Sequence, residues 1–260
     1  MIIKINRTNN GKSFIEELET QLENKKTVLE GLQFIKEKKD STLTFRCGCE
    51  SGVCGSCAVK VNGVERLACK TKLNEGDFIE PLSYTAVLRD LVVDLEHEQK
   101  VLNKSHSFLH QYQESEITNE DEKKIDRQSN CILCQSCYSS CPVLEVNKDF
   151  LGPYALTRAL RYVNDKREGD EKSIINNIQL NGVWDCTLCG NCTLVCPQFI
   201  DPKSDIMNLR MKSVQAGYED PTLQNFATIG NEFDTGFDPT GGFNPSGGFD
   251  PSGGFNPNSF

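Results

Sequence analysis

Hydrophobic and polar residues are arranged in three ways along the chain, and the first pattern is mixed. A strand, a turn and a return strand open the sequence, and apolar residues at helical spacing follow. Two short strands then flank a turn at Asn62–Gly63, before a last strand. The segments are MIIKINR, NNGK, SFIEEL, TVLEGLQFIKEKK, CAVKVNGVERLAC and DFIEPL. Strands, one helix and a cysteine-bearing loop predict a small α+β domain.

The second pattern is helical. Leu88, Leu91, Val92 and Leu95 share one face at helical spacing, which predicts that an amphipathic helix begins there. The polar stretch QESEITNEDEKKIDRQSN then predicts a linker. Beyond it, GPYALTRALRYVNDKR predicts a helix with proline in its first turn, and EKSIINNIQL predicts another. We therefore expect a second, helical domain.

The third pattern is a repeat rich in glycine and proline at the end of the sequence. Phe237, Phe243, Phe249 and Phe255 recur at regular spacing in a Gly-Gly-Phe-(Asp/Asn)-Pro-(Ser/Thr) unit. A segment of this composition cannot bury a core, which predicts a disordered tail. A role for the phenylalanines as contact points on a partner is the alternative.

Composition and charge narrow the class of function. The chain of 260 residues has 28 Lys and Arg against 37 Asp and Glu, a formal charge of −9. Nucleic acid is not expected as a partner, because phosphate binding needs basic patches. The first residues lack the features of a signal peptide, and no stretch reaches the roughly 20 apolar residues that span a bilayer. We expect a soluble chain that meets a membrane only through a partner.

Two cysteine runs carry the most specific chemistry. CILCQSCYSSCP and CTLCGNCTLVCP share the spacing C-x2-C-x2-C-x3-C-P. This is the bacterial ferredoxin signature, in which three cysteines of a run hold one [4Fe–4S] cluster and the fourth reaches the other cluster. One cluster is expected on Cys131, Cys134, Cys137 and Cys196, and the other on Cys186, Cys189, Cys192 and Cys141.

The 13 cysteines also allow other chemistry. Disulfide frameworks belong to small secreted domains, and cysteines so close in sequence pair poorly with one another. Zinc sites use C-x2-C pairs but separate the two pairs by longer spacers. Zinc stays a minor alternative, and iron–sulfur clusters are the main prediction.

A further cysteine group lies in the first domain. Cys49, Cys54 and Cys57 follow the spacing C-x4-C-x2-C, and Cys69 is a distant fourth thiol, as in plant-type [2Fe–2S] sites. Glycines in this loop let it curl so that backbone N–H groups face the sulfurs. Cys47 is the one cysteine that the three predicted ligand sets do not use. We interpret it as a small buried thiol instead of a ligand.

These patterns together predict an α+β chain with one [2Fe–2S] and two [4Fe–4S] clusters. A β-grasp domain of the plant-type ferredoxin kind precedes an all-α domain of the bacterial ferredoxin kind. The predicted ranges are 1–100 for the [2Fe–2S] domain, 101–128 for a helical linker, 129–216 for the domain with two cubane clusters and 217–260 for a disordered, low-complexity Gly/Pro/Phe tail.

Other chemistry is hard to find in the sequence. No G-x-G-x-x-G motif follows a strand, so no nucleotide-binding loop is expected. His97, His106 and His110 lie on or beside the linker helix, and we interpret them as solvated. The chain is therefore predicted to carry electrons, without a catalytic residue of its own.

At this point the motifs resemble the iron–sulfur subunit of succinate dehydrogenase and fumarate reductase, from about Met1 to Met211. That resemblance implies a position between a FAD-bearing flavoprotein, which interconverts succinate and fumarate, and a membrane component that handles quinone. It also implies an electron route from flavin through [2Fe–2S], [4Fe–4S] and a last cluster to quinone. The motifs are TFRCGCESGVCGSCAVKVNGVERLACKT, AVLRDLVVD, CILCQSCYSSCP, FLGPYAL and NGVWDCTLCGNCTLVCP.

Two departures from the common family pattern indicate a branch. In better known members the last cluster is [3Fe–4S], and the position of Cys189 is not cysteine. A fourth thiolate predicts [4Fe–4S] with a lower potential, and [3Fe–4S] is the alternative if Cys189 is not a ligand. Glu145 and Val146 stand where members with a ubiquinone pocket have tryptophans. Both changes resemble the non-classical branch, which pairs with a cysteine-rich subunit related to heterodisulfide reductase and often uses a menaquinone-type quinone.

Two alternatives stay open. One is the iron–sulfur subunit of a heterodisulfide reductase-like or thiol-linked fumarate reductase, and the other is a free ferredoxin. The [2Fe–2S] domain and the motif RDLVVD favour the resemblance to succinate dehydrogenase and fumarate reductase over the first of these alternatives. We expect a peripheral position at the cytoplasmic face of the inner membrane, with the periplasmic face, reached by export on a partner, as the alternative. Whether succinate oxidation or fumarate reduction runs in the cell stays open.

Overall fold

The computed structural model describes residues 1–9, 11–20 and 26–221. An N-terminal sheet region precedes a C-terminal helical region within the unit Met1–Asp220. The strands are β1 (Ile2–Asn9), β2 (Lys12–Glu19), β3 (Ala58–Val61), β4 (Val64–Leu67), β5 (Phe78–Glu80), β6 (Val87–Arg89) and β7 (Val92–Val93). The helices are α1 (Val28–Lys38), α2 (Glu96–Lys104), α3 (Asn119–Ser129), α4 (Ser136–Ser139), α5 (Val143–Val146), α6 (Pro153–Val163), α7 (Glu171–Asn177), α8 (Asn191–Leu194) and α9 (Pro202–Gln215). The predicted disordered tail falls outside the described residues, apart from its first few positions.

A five-stranded sheet organises the N-terminal region. Its strand order is β2-β1-β5-β3-β4, with β1 parallel to β5 and the other neighbours antiparallel. Apolar residues of the sheet, such as Ile5, form one core with Leu32 of α1. Helix α1 begins with a capping box, in which Thr27 Oγ1 accepts from the N–H of Glu30 and the Glu30 carboxylate accepts from the N–H of Thr27. The strands and the helix predicted for this region are confirmed.

The amphipathic helix predicted from Leu88 to Leu95 is wrong. That segment forms the β6–β7 hairpin, and α2 begins only after it. The turn places Asp90 at φ 48°, and its buried carboxylate accepts from Arg7 Nε (3.1 Å) and from the N–H of Thr44 (2.8 Å). Bonds to distant parts of the chain, which helical spacing does not reveal, therefore decide the conformation here.

Helices α2 and α3 lie in the segment between the two regions. Helix α3 begins with a capping box formed by Thr118 and Asp121, and none of its residues is buried. The polar stretch predicted as a linker therefore contains a helix on the surface. The proposed linker range of 101–128 stays a prediction.

The helical region has its own apolar core. Leu156 and Leu160 of α6 and Ile206 and Leu209 of α9 are fully or almost fully buried in it. Pro153 occupies the first turn of α6, where its missing N–H costs no intrahelical bond. The helices predicted in GPYALTRALRYVNDKR and EKSIINNIQL are confirmed as α6 and α7.

Buried and half-buried polar contacts join the two regions. Ser139 Oγ donates to the buried carboxylate of Glu65 (2.7 Å) and accepts from the N–H of Ser83 (2.8 Å). Gln198 Nε2 also donates to the carbonyl of Gly52 (3.0 Å). Through these bonds, the two long cysteine runs of the helical region lie next to the N-terminal region, which holds the cysteine loop of residues 47–57. Among the described residues, no helix is long and apolar enough to cross a membrane.

Candidate iron–sulfur sites

The loop of residues 47–57 presents cysteine sulfurs to backbone N–H groups. The N–H groups of Ser51 and Val53 both donate to Cys49 Sγ (3.4 Å), and the N–H of Cys49 donates to Cys54 Sγ (3.4 Å). Hydrogen bonds from Ser51, first its side chain and then its N–H, lower the pKa of the Cys49 thiol to about 5. The loop therefore favours thiolate, which is the form that binds iron.

The other two candidate ligands of this site are buried. Cys57 lies just before β3 and Cys69 just after β4, so the hairpin brings the two thiols close together. Burial raises the pKa of Cys57 to about 12, and the neighbouring Cys69 contributes to the rise. Cys49 and Cys54 are exposed. The four thiols thus describe a site with one edge in the core and one edge at the surface.

Cys47 differs from the interpretation made from sequence. Its thiol is exposed, so the prediction of a buried thiol is wrong. Whether Cys47 binds iron is a separate matter, and its exclusion from the ligand set stays a prediction.

The two long cysteine runs have the same backbone conformation. Leu133 (φ 53°) and Gln135 (φ 65°) in the first run are left-handed, as are Leu188 (φ 56°) and Gly190 (φ 87°) at the equivalent positions of the second. One-turn helices, α4 and α8, follow at the same offset. Left-handed residues on both sides of the second cysteine curl each run into a tight loop, as the repeated spacing predicted.

The first run meets the last cysteine of the second run. One cavity is lined by all four predicted ligands of this site, which are Cys131, Cys134, Cys137 and Cys196. Burial raises the pKa of Cys131 to about 11, and the charges of Cys134 and Cys196 add to the rise. Cys196 thus lies with the first run in space, although it follows the second run in sequence.

The second run meets the last cysteine of the first. Burial raises the pKa of Cys141 to about 11, and the charges of Cys186 and Cys189 contribute to the rise. Burial likewise raises the pKa of Cys192 to about 12, with contributions from Cys186, Cys141 and Cys189. The structure therefore brings together the second predicted set as well, and Cys189 is its exposed member.

The donor set fits iron–sulfur clusters, because thiolate sulfur is the ligand that cluster iron prefers. Within the described ranges, no three His, Cys, Asp or Glu side chains converge on a point that one metal ion could occupy. A [4Fe–4S] cluster needs no such point, because each cysteine binds a different iron at the cluster edge. Burial strongly disfavours thiolate at Cys137. Cluster iron supplies the positive charge that would hold such buried sulfurs as thiolates.

The three sites lie next to one another. A Cβ atom on Gly55 would come within 2.8 Å of the carbonyl of Ile132 and 3.0 Å of Cys134 Cβ, so the first two cysteine loops touch. The charge of Cys192 also contributes to the raised pKa of Cys137, after burial and closer thiols, which places the second and third sites side by side. The arrangement can pass electrons along a series of three centres.

Comparison with known proteins agrees with this chemistry. The family described as "2Fe-2S iron-sulfur cluster binding domain" matches residues 1–100, and that described as "4Fe-4S dicluster domain" matches residues 127–200. The fumarate reductase iron-sulfur subunit of Haemophilus influenzae is 36% identical over 216 residues, which are 74% of this chain and 84% of that protein. The chain belongs to the iron–sulfur subunits of the succinate dehydrogenase/fumarate reductase family.

Two further comparisons extend the likeness. The 8-methylmenaquinol:fumarate reductase iron-sulfur subunit of Wolinella succinogenes is 36% identical over 208 residues, which are 74% of this chain and 65% of that protein. A chain of the Mycobacterium smegmatis Sdh1 complex in the apo form superposes with a TM-score of 0.75 over 85% of this chain and 98% of its own length. At 20% identity that structure supports the fold alone. This iron–sulfur subunit is the electron-transfer component of an oxidoreductase complex.

Sequence reasoning missed Arg210, which contacts the start of the second cysteine run in this iron–sulfur subunit. From α9 its guanidinium donates to the carbonyls of Val183 (2.8 Å), Trp184 (3.3 Å) and Cys186 (2.6 Å). These bonds fix the start of the second cysteine run against the helical core. A single arginine on a helix gives no signal of this role, because its partners are backbone atoms in another part of the chain.

The histidines of this subunit are more enclosed than the sequence indicated. His97 Nδ1 lies 3.2 Å from the carbonyl oxygen of Asp94, and its Nε2 atom is buried without a partner in the described part of the chain. His106 Nδ1 lies 3.1 Å from Nδ2 of Asn177. Both residues are half-buried, so each is only partly exposed to solvent.

Proposed function

We propose that this subunit relays electrons through three iron–sulfur clusters in the order [2Fe–2S], middle cluster, last cluster. When bound to its cysteine ligands, each cluster acts as a carrier of one electron. The ligands are Cys49, Cys54, Cys57 and Cys69 for [2Fe–2S], Cys131, Cys134, Cys137 and Cys196 for the middle cluster, and Cys186, Cys189, Cys192 and Cys141 for the last cluster. One observation carries the proposal: each long run is completed by the final cysteine of the other run.

Cys189 makes the last cluster [4Fe–4S] in this proposal. The electrostatic effect of Cys189 on both Cys141 and Cys192 supports its place in the ligand set. A cubane with a protein thiolate at every iron retains all four, and the added negative charge lowers its potential. A [3Fe–4S] cluster, with Cys189 as a spare thiol, is the alternative.

The domain assignment follows from the sheet and the helices. A mixed sheet with β1 parallel to β5, crossed by α1, supports a β-grasp domain of the plant-type ferredoxin kind over 1–100. The repeated loop-and-helix units around α4 and α8 support a bacterial ferredoxin-like domain over 129–216. The chain's own part in electron transfer is to hold the clusters in order and to exclude water from the buried ligands.

Two partners complete the proposed complex. A FAD-bearing flavoprotein that acts on fumarate or succinate docks near the exposed edge of the [2Fe–2S] site, at Cys49 and Cys54. A quinone-reactive subunit docks near the last cluster, and the named substrate of the Wolinella relative supports a menaquinone-type quinone. Glu145 and Val146 are both exposed. They stand at the positions where family members with a ubiquinone pocket have a pair of tryptophans. In this proposal the quinone-reactive partner is a cysteine-rich subunit. The chain is peripheral on the cytoplasmic face of the membrane, with the periplasmic face as the alternative.

Purification of the complex through a tag on this chain tests the relay. We expect a flavin-containing partner to co-purify, and quinol-dependent fumarate reduction to be lost in Cys137→Ser. Fumarate reduction by a dye that reduces the flavin directly should persist in that variant. Absence of flavin from the purified complex, or full quinol activity in Cys137→Ser, would contradict the proposal.

A further inference from the structure

We propose that Glu98 and Arg158 act as opposed charges that set the reduction potential of the middle cluster. Neither residue is a cluster ligand. Glu98 lies on α2, in the segment between the two regions, and Arg158 lies on α6. The inference rests on the proposed ligand set of Cys131, Cys134, Cys137 and Cys196.

Glu98 is connected directly to the loop that holds the middle cluster. Its Oε2 atom accepts a hydrogen bond of 2.6 Å from Gln135 Nε2. Gln135 is the residue after Cys134, it is 2% exposed, and its left-handed backbone turns the loop around the site. The Oε1 atom of Gln135 has no partner among the described residues. The amide therefore links the carboxylate to the cluster loop with no competing bond to its oxygen.

Arg158 lies on α6, the helix whose Tyr154 and Thr157 line the cavity of the middle site. Its positive charge lowers the pKa of Cys131, against the larger effect of burial, and it likewise favours the ionised form of Glu98. Its Nε atom is buried and has no partner in the described segments, while Nη2 donates weakly to Tyr162 (3.4 Å). Among the described residues, no carboxylate lies within salt-bridge distance of the Arg158 guanidinium, so an acid does not neutralise its charge there.

The Glu98 carboxylate lies beside a cavity that reaches two of the proposed sites. Glu98 and Gln135 line a cavity of about 300 Å³ that also touches Cys54 and Cys57 of the [2Fe–2S] loop and Cys134 of the middle site. The carboxylate therefore faces the space between two clusters. Arg46 lines the same cavity, and the buried hydroxyl of Tyr154 is within the electrostatic reach of Glu98. A unit charge in such partly dry surroundings acts far more strongly than one in bulk water.

The sign of each effect follows from the electron that the cluster gains. A negative charge nearby disfavours reduction, and a positive charge favours it. Loss of the Glu98 charge should raise the potential of the middle cluster, and loss of the Arg158 charge should lower it. Burial raises the pKa of Glu98, so the comparison should be repeated at increasing pH, which favours the ionised carboxylate.

Redox titration of the purified complex, followed by EPR of the middle cluster, tests this inference. At a fixed potential we expect Glu98→Gln to raise the ratio of reduced to oxidised middle cluster about tenfold, a shift of about 59 mV for one electron. Arg158→Gln should move the ratio in the opposite direction, and Arg158→Lys should restore most of it. Glu96→Gln is the matched control, because it removes the same charge from an exposed position of α2.

The outcomes separate this inference from the proposed relay. Shifts of opposite sign in Glu98→Gln and Arg158→Gln, with none in Glu96→Gln, support it. Unchanged potentials, shifts of the same sign, or an equal shift in Glu96→Gln overturn it while the relay stands. A wild-type complex without a reducible middle cluster contradicts the relay itself. If the Glu98→Gln complex fails to assemble, the two Arg158 variants test the inference. A lower potential of the middle cluster in Arg158→Gln than in Arg158→Lys supports it, and equal potentials overturn it.

Discussion

At the scale of single residues, the contact between the first two cysteine loops depends on a missing side chain. Gly55 has φ 72° and lies against the carbonyl of Ile132 and the Cβ atom of Cys134. Both the left-handed conformation and the close approach require glycine. The distance between the [2Fe–2S] and middle sites is therefore set by one residue with no side chain of its own.

Replacement of Gly55 by alanine should force the two loops apart. We expect Gly55→Ala to destabilise the subunit by about 1–3 kcal/mol more than Gly63→Ala in unfolding measurements. Gly63 is the matched control, because it is also left-handed (φ 77°) but has nothing within 4 Å of an added Cβ atom. Equal destabilisation by the two variants would show that the loops do not press on Gly55.

The assignment of the [2Fe–2S] ligands can be tested with two neighbouring cysteines. Cys49→Ser should disturb or abolish the [2Fe–2S] EPR signal, because three N–H groups of this loop organise Cys49 and Cys54 as acceptors. Cys47→Ser should leave the signal nearly unchanged. Loss of the signal in Cys47→Ser alone would mean that the ligand set is wrong.

The cysteines themselves are the residues that sequence predicts best. Ligand spacing is a local property of the chain, and both exchanged sets come together where the spacing placed them. The exposure of Cys47 could not be predicted, because burial depends on the whole fold. The left-handed conformations of Leu133 and Leu188 also had no signal, since leucine seldom adopts them.

At the scale of helices and strands, long-range hydrogen bonds explain why one predicted helix is a hairpin in the structure. The β6–β7 hairpin replaces a predicted helix because buried Asp90 binds Arg7 and Thr44, which lie far away in sequence. The predictions for α1 and α6 are confirmed because their signals are local: a capping box at Thr27 and a proline in the first turn. Elements with local signals could be predicted, and elements fixed by distant partners could not.

Helix α9 should matter for one cluster more than for the others. Arg210→Gln removes the guanidinium that holds three carbonyls at the start of the second cysteine run. Since hydrogen bonds to charged groups contribute about 1.5–3 kcal/mol each, we expect selective loss of the last cluster's EPR signal during purification. The other two signals should persist.

Lys212→Gln is the control for this variant, because it removes a positive charge from the same helix without touching those carbonyls. A complex of Arg210→Gln that retains its last cluster as well as Lys212→Gln does would contradict the role given to Arg210.

At the scale of the whole molecule, Ser139 connects the sheet region to the helical region. Ser139→Ala leaves the buried carboxylate of Glu65 and the N–H of Ser83 without this partner. We expect a loss of about 2 kcal/mol, or roughly 4–8 °C in the midpoint of thermal unfolding. Ser140→Ala is the control, because the hydrogen bond of that hydroxyl in the described part of the chain is to the carbonyl of Cys137, within its own loop. Equal midpoints for the two variants would contradict a connecting role for Ser139.

The central claim is that two complete cubanes share their ligands across the helical region, and EPR of the oxidised complex tests it most directly. A cubane held by Cys141, Cys186, Cys189 and Cys192 keeps its fourth iron, whereas one without Cys189 readily loses it. Anaerobically purified wild-type complex should show little three-iron signal, and Cys189→Ser should gain a strong one. A strong three-iron signal in the wild type, unchanged by Cys189→Ser, would contradict the account.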